Sequence, residues 1–225
     1  MDRLNINPIK KRQTMKEIAY DEIKSAILTG QLDKKEYYPE TLLAETLNTS
    51  RTPVREAANE LVAEGLLLVY PRKGYKVKEI SADEREQIVY LRTCIEKKAL
   101  EVLHSKITED QLSELDEIIE KQREAMEVED RYVFIEYDQK MHATFVQMAE
   151  LNIMEDIFQK IYNLMRLIGH TALMKQGRMK EVIEEHKQVV QALRDGNYDE
   201  ASGNLLSHLT NTHQIVQTIE DTKTN

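Results

Sequence analysis

Apolar residues recur with helical spacing from Thr14 to Thr29, at Ile18, Ile23, Ala26 and Ile27, and this period predicts a helix with one buried face. Gly30 is placed to stop it. After a linker with Tyr37, Tyr38 and Pro39, the residues Leu42, Leu43 and Leu47 predict a second, shorter helix. Asn48, Thr49 and Ser50 read as a turn, with Ser50 as the N-cap of a third helix. Pro53 falls in the first turn of that helix, where its missing N–H costs nothing. Val54, Ala57, Ala58, Leu61 and Val62 give it one apolar face, and Gly65 ends it. The period then shortens. Leu67 to Tyr70 and Tyr75 to Lys78 predict two strands joined by the turn Pro71-Arg72-Lys73-Gly74. Three helices and a hairpin, in that order, predict a winged helix-turn-helix over residues 14–79.

From Ile80 onward the helical period holds, which predicts an all-helical bundle over residues 80–225 and a mainly α chain. Ser81 opens a long helix to about Ser105, and Thr108 with Gln111 forms a capping box for the next. Further helices are expected at about 129–149, 151–172, 178–195 and 198–219, with breaks at Gly177 and Gly196-Asn197. Residues 1–13 hold Lys10, Lys11 and Arg12 with little apolar content, and read as an arm that either contacts DNA or is simply solvated.

Composition agrees with this pattern. Only 7 Gly and 4 Pro interrupt 225 residues. No apolar run approaches the ~18 residues that span a membrane, and no apolar segment follows the basic N-terminus as a secretory signal would require. A single cysteine, Cys94, cannot form an internal disulfide. A cytoplasmic protein with no membrane partner is expected. The formal net charge of −9 argues against a DNA binder until it is divided. Residues 1–78 carry 14 Lys and Arg against 11 Asp and Glu, and the remainder 17 against 29. The basic excess sits where DNA would be bound.

Within the third helix, Arg51 and Arg55 are four apart and share one face in its first two turns. A recognition helix commonly presents this end to the major groove. Arginine offers two donors to guanine O6 and N7, and Ser50 and Thr52 can donate to phosphate at the helix N-terminus. The stretch Leu43-Ala44-Glu45, Ser50-Arg51-Thr52-Pro53-Val54-Arg55-Glu56-Ala57, Leu61, Glu64-Gly65-Leu66, Pro71, Gly74 and Val77 resembles the signature of GntR-family regulators. The resemblance implies that Arg51 and Arg55 contact bases and that Ser50 and Thr52 hold phosphates. It also implies that a wing around Arg72, Lys73 and Gly74 lies along the minor groove. Thr41 stands where some members carry an arginine, so that contact is not carried over.

The acidic half holds a second pattern. Asp138 and His142 are one turn apart on one helix face, ~6 Å along the axis, and His186 and His208 stand on two later helices. Imidazoles with a carboxylate suit Zn²⁺, with Ni²⁺ or Mn²⁺ as alternatives. Spacing alone leaves open whether the four converge, and His104, His170 and His213 read as surface or core residues. The half resembles the FCD ligand-binding domain of the FadR subfamily. The marks are Arg92 with Glu96, Asp138 with His142, Glu185-His186, Ala192-Leu193, Gly196, Ala201 and His208. This resemblance implies that Asp138, His142, His186 and His208 ligate a metal. It also implies that Arg92 pairs with an effector carboxylate inside the bundle, with Arg166 as a second candidate. Without it, Arg92 and Glu96 are an i,i+4 pair on a solvated face. Cys94 is expected to be buried and inert, the methionines near 151–174 to be core, and Glu181, Glu184 and Glu185 to form a solvated face.

The function expected is a homodimeric, ligand-responsive repressor on a two-fold symmetric operator, with a small carboxylate or sugar acid as effector. Alternatives are a regulator whose effector is the metal itself, and a metal-dependent enzyme. No acid–base pair with supporting spacing favours the enzyme, so the chain is expected not to be one.

Overall fold

Ala19, Ile23 and Ile27 fall on one face of the first helix, α1 (Met15–Leu28), and all three are buried, whereas Ile18 lies at its exposed edge. The computed structural model describes residues 13–224, so the arm with Lys10, Lys11 and Arg12 lies outside the described residues. Short α2 (Glu40–Thr46) buries Leu43 and Ala44 and leaves Leu42 exposed. In α3 (Arg51–Ala63) the apolar positions Val54, Ala57, Ala58 and Leu61 are fully buried. β1 (Leu67–Tyr70) and β2 (Gly74–Val77) pair antiparallel, from Leu67 opposite Val77 to Tyr70 opposite Gly74. This is the three-helix unit with a two-stranded wing that the periodicity predicts.

The wing is tied down by the linker ahead of α2. Tyr38 and Tyr75 exchange backbone hydrogen bonds, N to O, at 2.7 and 3.0 Å. Gly74 has φ +97°, and a Cβ there would stand 2.4 Å from the Tyr38 carbonyl oxygen, so only glycine lets the linker approach. The rings of Tyr37 and Tyr70 meet in a T-shaped pair with centroids 5.1 Å apart, and the Lys73 ammonium lies 4.5 Å from the Tyr37 ring centroid.

Ser50 occupies the N-cap position of α3 in extended conformation, yet its side chain makes no capping bond. The reason is in the sequence: the third helical residue, where a cap usually finds its N–H, is Pro53. The hydroxyl is left exposed at the helix N-terminus.

The contacts divide the chain into two compact units, one running to Val77 and one from Lys78, with residues 28–31 grouped with the second. The second unit is helical throughout: α4 (Ala82–Leu103), α5 (Glu109–Glu127), α6 (Arg131–Met148), α7 (Asn152–Ala172), α8 (Arg178–Arg194) and α9 (Tyr198–Thr224). Capping boxes start two of these helices, Ser81 with Glu84 for α4 and Thr108 with Gln111 for α5. α6 packs against α4, α5 and α7, and α9 against α4, α7 and α8. All three phenylalanines, Phe134, Phe145 and Phe158, are fully buried in the shared core. Two expectations fail here. Cys94 is exposed on α4 rather than buried, because the buried face of that helix runs through Arg92, Ile95 and Glu96. Glu185 leaves the solvated face expected of it and turns inward, whereas Glu181 and Glu184 stay near half exposed.

Candidate metal centre and nucleic-acid interface

Four buried side chains meet in the middle of the helical unit. Asp138 and His142 come from successive turns of α6, His186 from α8 and His208 from α9. One ligand atom from each lies within 4.8 Å of all the others. The ring centroids of His142 and His186 are 5.2 Å apart, those of His142 and His208 5.1 Å, and those of His186 and His208 4.7 Å.

Each imidazole is held from behind through Nδ1. His142 donates to Glu96 Oε2 at 2.6 Å, His186 to Gln122 Oε1 at 2.8 Å, and His208 to Glu185 Oε2 at 2.7 Å. An acceptor on Nδ1 fixes the tautomer and leaves the Nε2 lone pair for a metal. Nε2 of His142 and of His186 are buried with no hydrogen-bond partner, although Asp138 Oδ1 stands 3.6 Å from the latter. Two neutral imidazoles with unpartnered, buried Nε2 atoms, beside a third imidazole and a carboxylate, would be a costly arrangement by themselves. They fit a divalent ion of the zinc type. Burial holds His142 and His186 well below the usual histidine range, with the Arg92 charge adding to the effect at His142 and that of His208 at His186.

Charged groups support this cluster. Arg92 and Glu96 are both buried, with Arg92 Nε donating to Glu96 Oε1 at 2.5 Å. Arg178, 1% exposed, grips both carboxylate oxygens of Glu185 at 2.8 and 2.7 Å and also donates to Thr212 Oγ1 at 3.0 Å. Asn211 adds a third donor to Glu185 at 2.9 Å. Burial alone would raise the Glu185 carboxyl, but the bonds from His208 and Arg178 outweigh it and hold that carboxyl well below the usual range.

Two narrow cavities adjoin the cluster, each with room for about one water molecule as the side chains stand. One is lined by Arg92, Asp138, Gln139, Arg178, His208 and Thr212 with apolar neighbours. The other shares Arg92 and Thr212 and runs on to His213. Arg92 Nη2 is buried there without a partner. Arg166 is buried on α7 but pairs with Glu136 and Asn163 and lines neither cavity. Sequence reasoning missed Gln122, Arg178 and Thr212, and placed Glu185 on a solvated face. The one available signal was the charge of Glu185 beside His186.

In the N-terminal unit, Ser50 at the N-cap of α3 and Arg51, Thr52 and Arg55 in its first two turns are all exposed. Arg51 Nη2 lies 3.2 Å from Glu40 Oε2, with 65% of its side chain exposed. Arg72 and Lys73 are exposed at the wing turn, and Arg72 takes a left-handed φ of 66°.

Comparison with known proteins decides the class. Residues 15–77 match the gntR family of bacterial regulatory proteins, and residues 87–211 match the FCD domain. The chain belongs to the GntR family. The FCD match places it in the FadR-like branch, as a transcription regulator with an effector-binding domain and not an enzyme. It is 24% identical over 212 residues to the HTH-type transcriptional regulator YdhC of Bacillus subtilis, covering 92% of this chain and 93% of the relative. It is 26% identical over 172 residues to the HTH-type transcriptional repressor RspR of Escherichia coli, covering 76% and 75%. Among solved structures, E. coli McbR/YncC shares the fold with a TM-score of 0.74 at 22% identity, over 92% of this chain and 99% of that one. GntR-family regulators bind DNA, and FCD domains bind small-molecule effectors. Among the described residues no helix is long and apolar enough to cross a membrane.

Proposed function

We propose that this GntR-family regulator is a cytoplasmic, homodimeric repressor whose hold on a two-fold symmetric operator is altered by a small organic acid. The acid binds beside a metal held by Asp138, His142, His186 and His208. The observation that carries the reading is the donor set: two buried Nε2 atoms without partners, each imidazole fixed through Nδ1, around one carboxylate. A divalent ion, zinc by preference, supplies a Lewis-acidic position for a ligand oxygen. Arg92 presents its unpartnered Nη2 to the same cavity system, which suits a carboxylate.

On the DNA side, Arg51 and Arg55 enter the major groove and read bases. Ser50 and Thr52 hold phosphate at the α3 N-terminus, and Arg72, Lys73 and Gly74 follow the minor groove. The uncapped Ser50 hydroxyl supports that assignment. An acid that binds the DNA-incompetent arrangement more tightly shifts the population away from the operator.

The test is selection of operator sequences from random duplexes, followed by operator binding of zinc-loaded and metal-stripped protein with and without small carboxylates. The reading expects a two-fold symmetric site and release by an acid only in the loaded protein. Release by zinc alone would make the metal the effector, and an asymmetric site would contradict the dimeric reading.

A further inference from the structure

The cavity beyond Arg92 has a different character from the one beside the metal ligands. It is bounded by α4, α7 and α9 through Ile88, Val89, Met165, Ile168 and Leu209. Arg92 and Thr212 stand where it meets the polar cavity, and at its far end the one further polar contribution is His213, whose Nδ1 is buried without a partner. The order along α9 sets the direction: His208 at the ligand cluster, then Leu209 and Thr212, then His213. A ligand anchored at the cluster and growing past Arg92 therefore runs into aliphatic surface.

We infer that the effector is a carboxylic acid with a short apolar chain, its carboxylate at Arg92 and the metal ligands and its chain between α4, α7 and α9. This rests on the acid-binding reading above. A sugar acid fits the lining badly, because its hydroxyls would be stripped of water against Ile88, Ile168 and Leu209 with one imidazole nitrogen to receive them. An alkyl chain loses nothing there and gains from every methylene buried. The cavity is closed to little more than a water, so the chain enters by parting its walls. The unbranched, adaptable Met165 and the half-buried Val89 at the rim are the side chains best suited to give way. An effector that wedges α4 from α9 also acts on both the Arg92–Glu96 pair and the helix bearing His208.

The experiment is calorimetric titration of zinc-loaded protein with acetate, butyrate, hexanoate, gluconate and pentan-1-ol. Affinity is expected to rise about fourfold per methylene from acetate to hexanoate, the equivalent of ~0.8 kcal/mol per buried CH₂. Gluconate should bind more weakly than hexanoate, and pentan-1-ol, lacking the carboxylate, should not bind measurably. Val89→Phe, which fills the rim from a half-buried position, should abolish the gain with chain length. A flat chain-length series, or gluconate as the tightest ligand, would overturn the apolar-chain inference while leaving acid binding standing. Binding of zinc but of none of the acids would overturn both.

Discussion

Nδ1 of His208 lies 2.7 Å from Oε2 of Glu185. The same carboxylate is clasped by Arg178, so a metal-ligand candidate and a buried guanidinium share one anion. Removing its charge acts on both. Glu185→Gln leaves Arg178 with the half-exposed Glu181 as its remaining carboxylate partner and should cost about 1–3 kcal/mol of stability in urea unfolding. It should also weaken zinc binding by about 10–100-fold in a chelator competition, because the carboxylate sets the tautomer and basicity of His208. A variant as stable as the parent would show that the Arg178–Glu185 pair contributes nothing net.

Arg92 is expected to carry the response to acids. Arg92→Met should remove the carboxylate-induced shift in melting temperature while zinc still binds. It also leaves Glu96 buried with the His142 N–H but without its guanidinium, so the single variant should lose stability. In the double variant Arg92→Met with Glu96→Gln, much of that loss should be recovered, since no bare charge remains. A persistent acid response in Arg92→Met would move the carboxylate site elsewhere.

The two kinds of DNA contact separate by their salt and sequence dependence. Arg55→Ala should cost about 1–3 kcal/mol on the selected operator and relax preference at one base position. Lys73→Ala should weaken all sequences alike and lower the slope of log K against log salt by about one. Quantitative footprinting over a range of salt distinguishes these results. An unchanged footprint for Arg55→Ala would remove it from the base-reading set.

Gly74→Ala tests the seat of the wing. The new Cβ would meet the Tyr38 carbonyl oxygen at 2.4 Å in a backbone conformation that alanine avoids. A loss of about 1–3 kcal/mol is expected, with operator affinity falling as the turn carrying Arg72 and Lys73 is displaced. Hydrogen exchange at the Tyr38 and Tyr75 amides reads the strain directly, and unaltered protection there would contradict this account of the wing.

Much of the fold was legible because its signals are local. The change from helical spacing to alternation after Gly65, the cap at Ser81 and the capping box at Thr108 all act within a few residues. The exposure of the α3 arginines was legible for the same reason: Arg51 and Arg55 lie one turn apart and fall outside the apolar stripe of Val54, Ala57, Ala58 and Leu61. Asp138 and His142 shared a helix and could be paired by spacing, but His186 and His208 could be joined to them only by resemblance. The supports were not legible. Gln122 lies 64 positions from the His186 it holds, and Glu185 reaches His208 across 23 positions rather than its neighbour His186. Such partners are set by how helices pack, and the charge of Glu185 read as solvated until the bundle turned it inward. Cys94 went astray in the converse way, because the buried stripe of α4 takes in the charged Arg92 and Glu96 between Ile88, Ile95 and Ala99 and leaves Cys94 off it.

The most direct measurement is calorimetric titration of zinc into metal-stripped protein, for the parent chain and for His186→Ala. The account predicts one tightly bound zinc per chain, and in His186→Ala an affinity lower by at least two orders of magnitude with helical content retained. No uptake by the parent, or equal uptake by His186→Ala, would contradict a metal centre at Asp138, His142, His186 and His208.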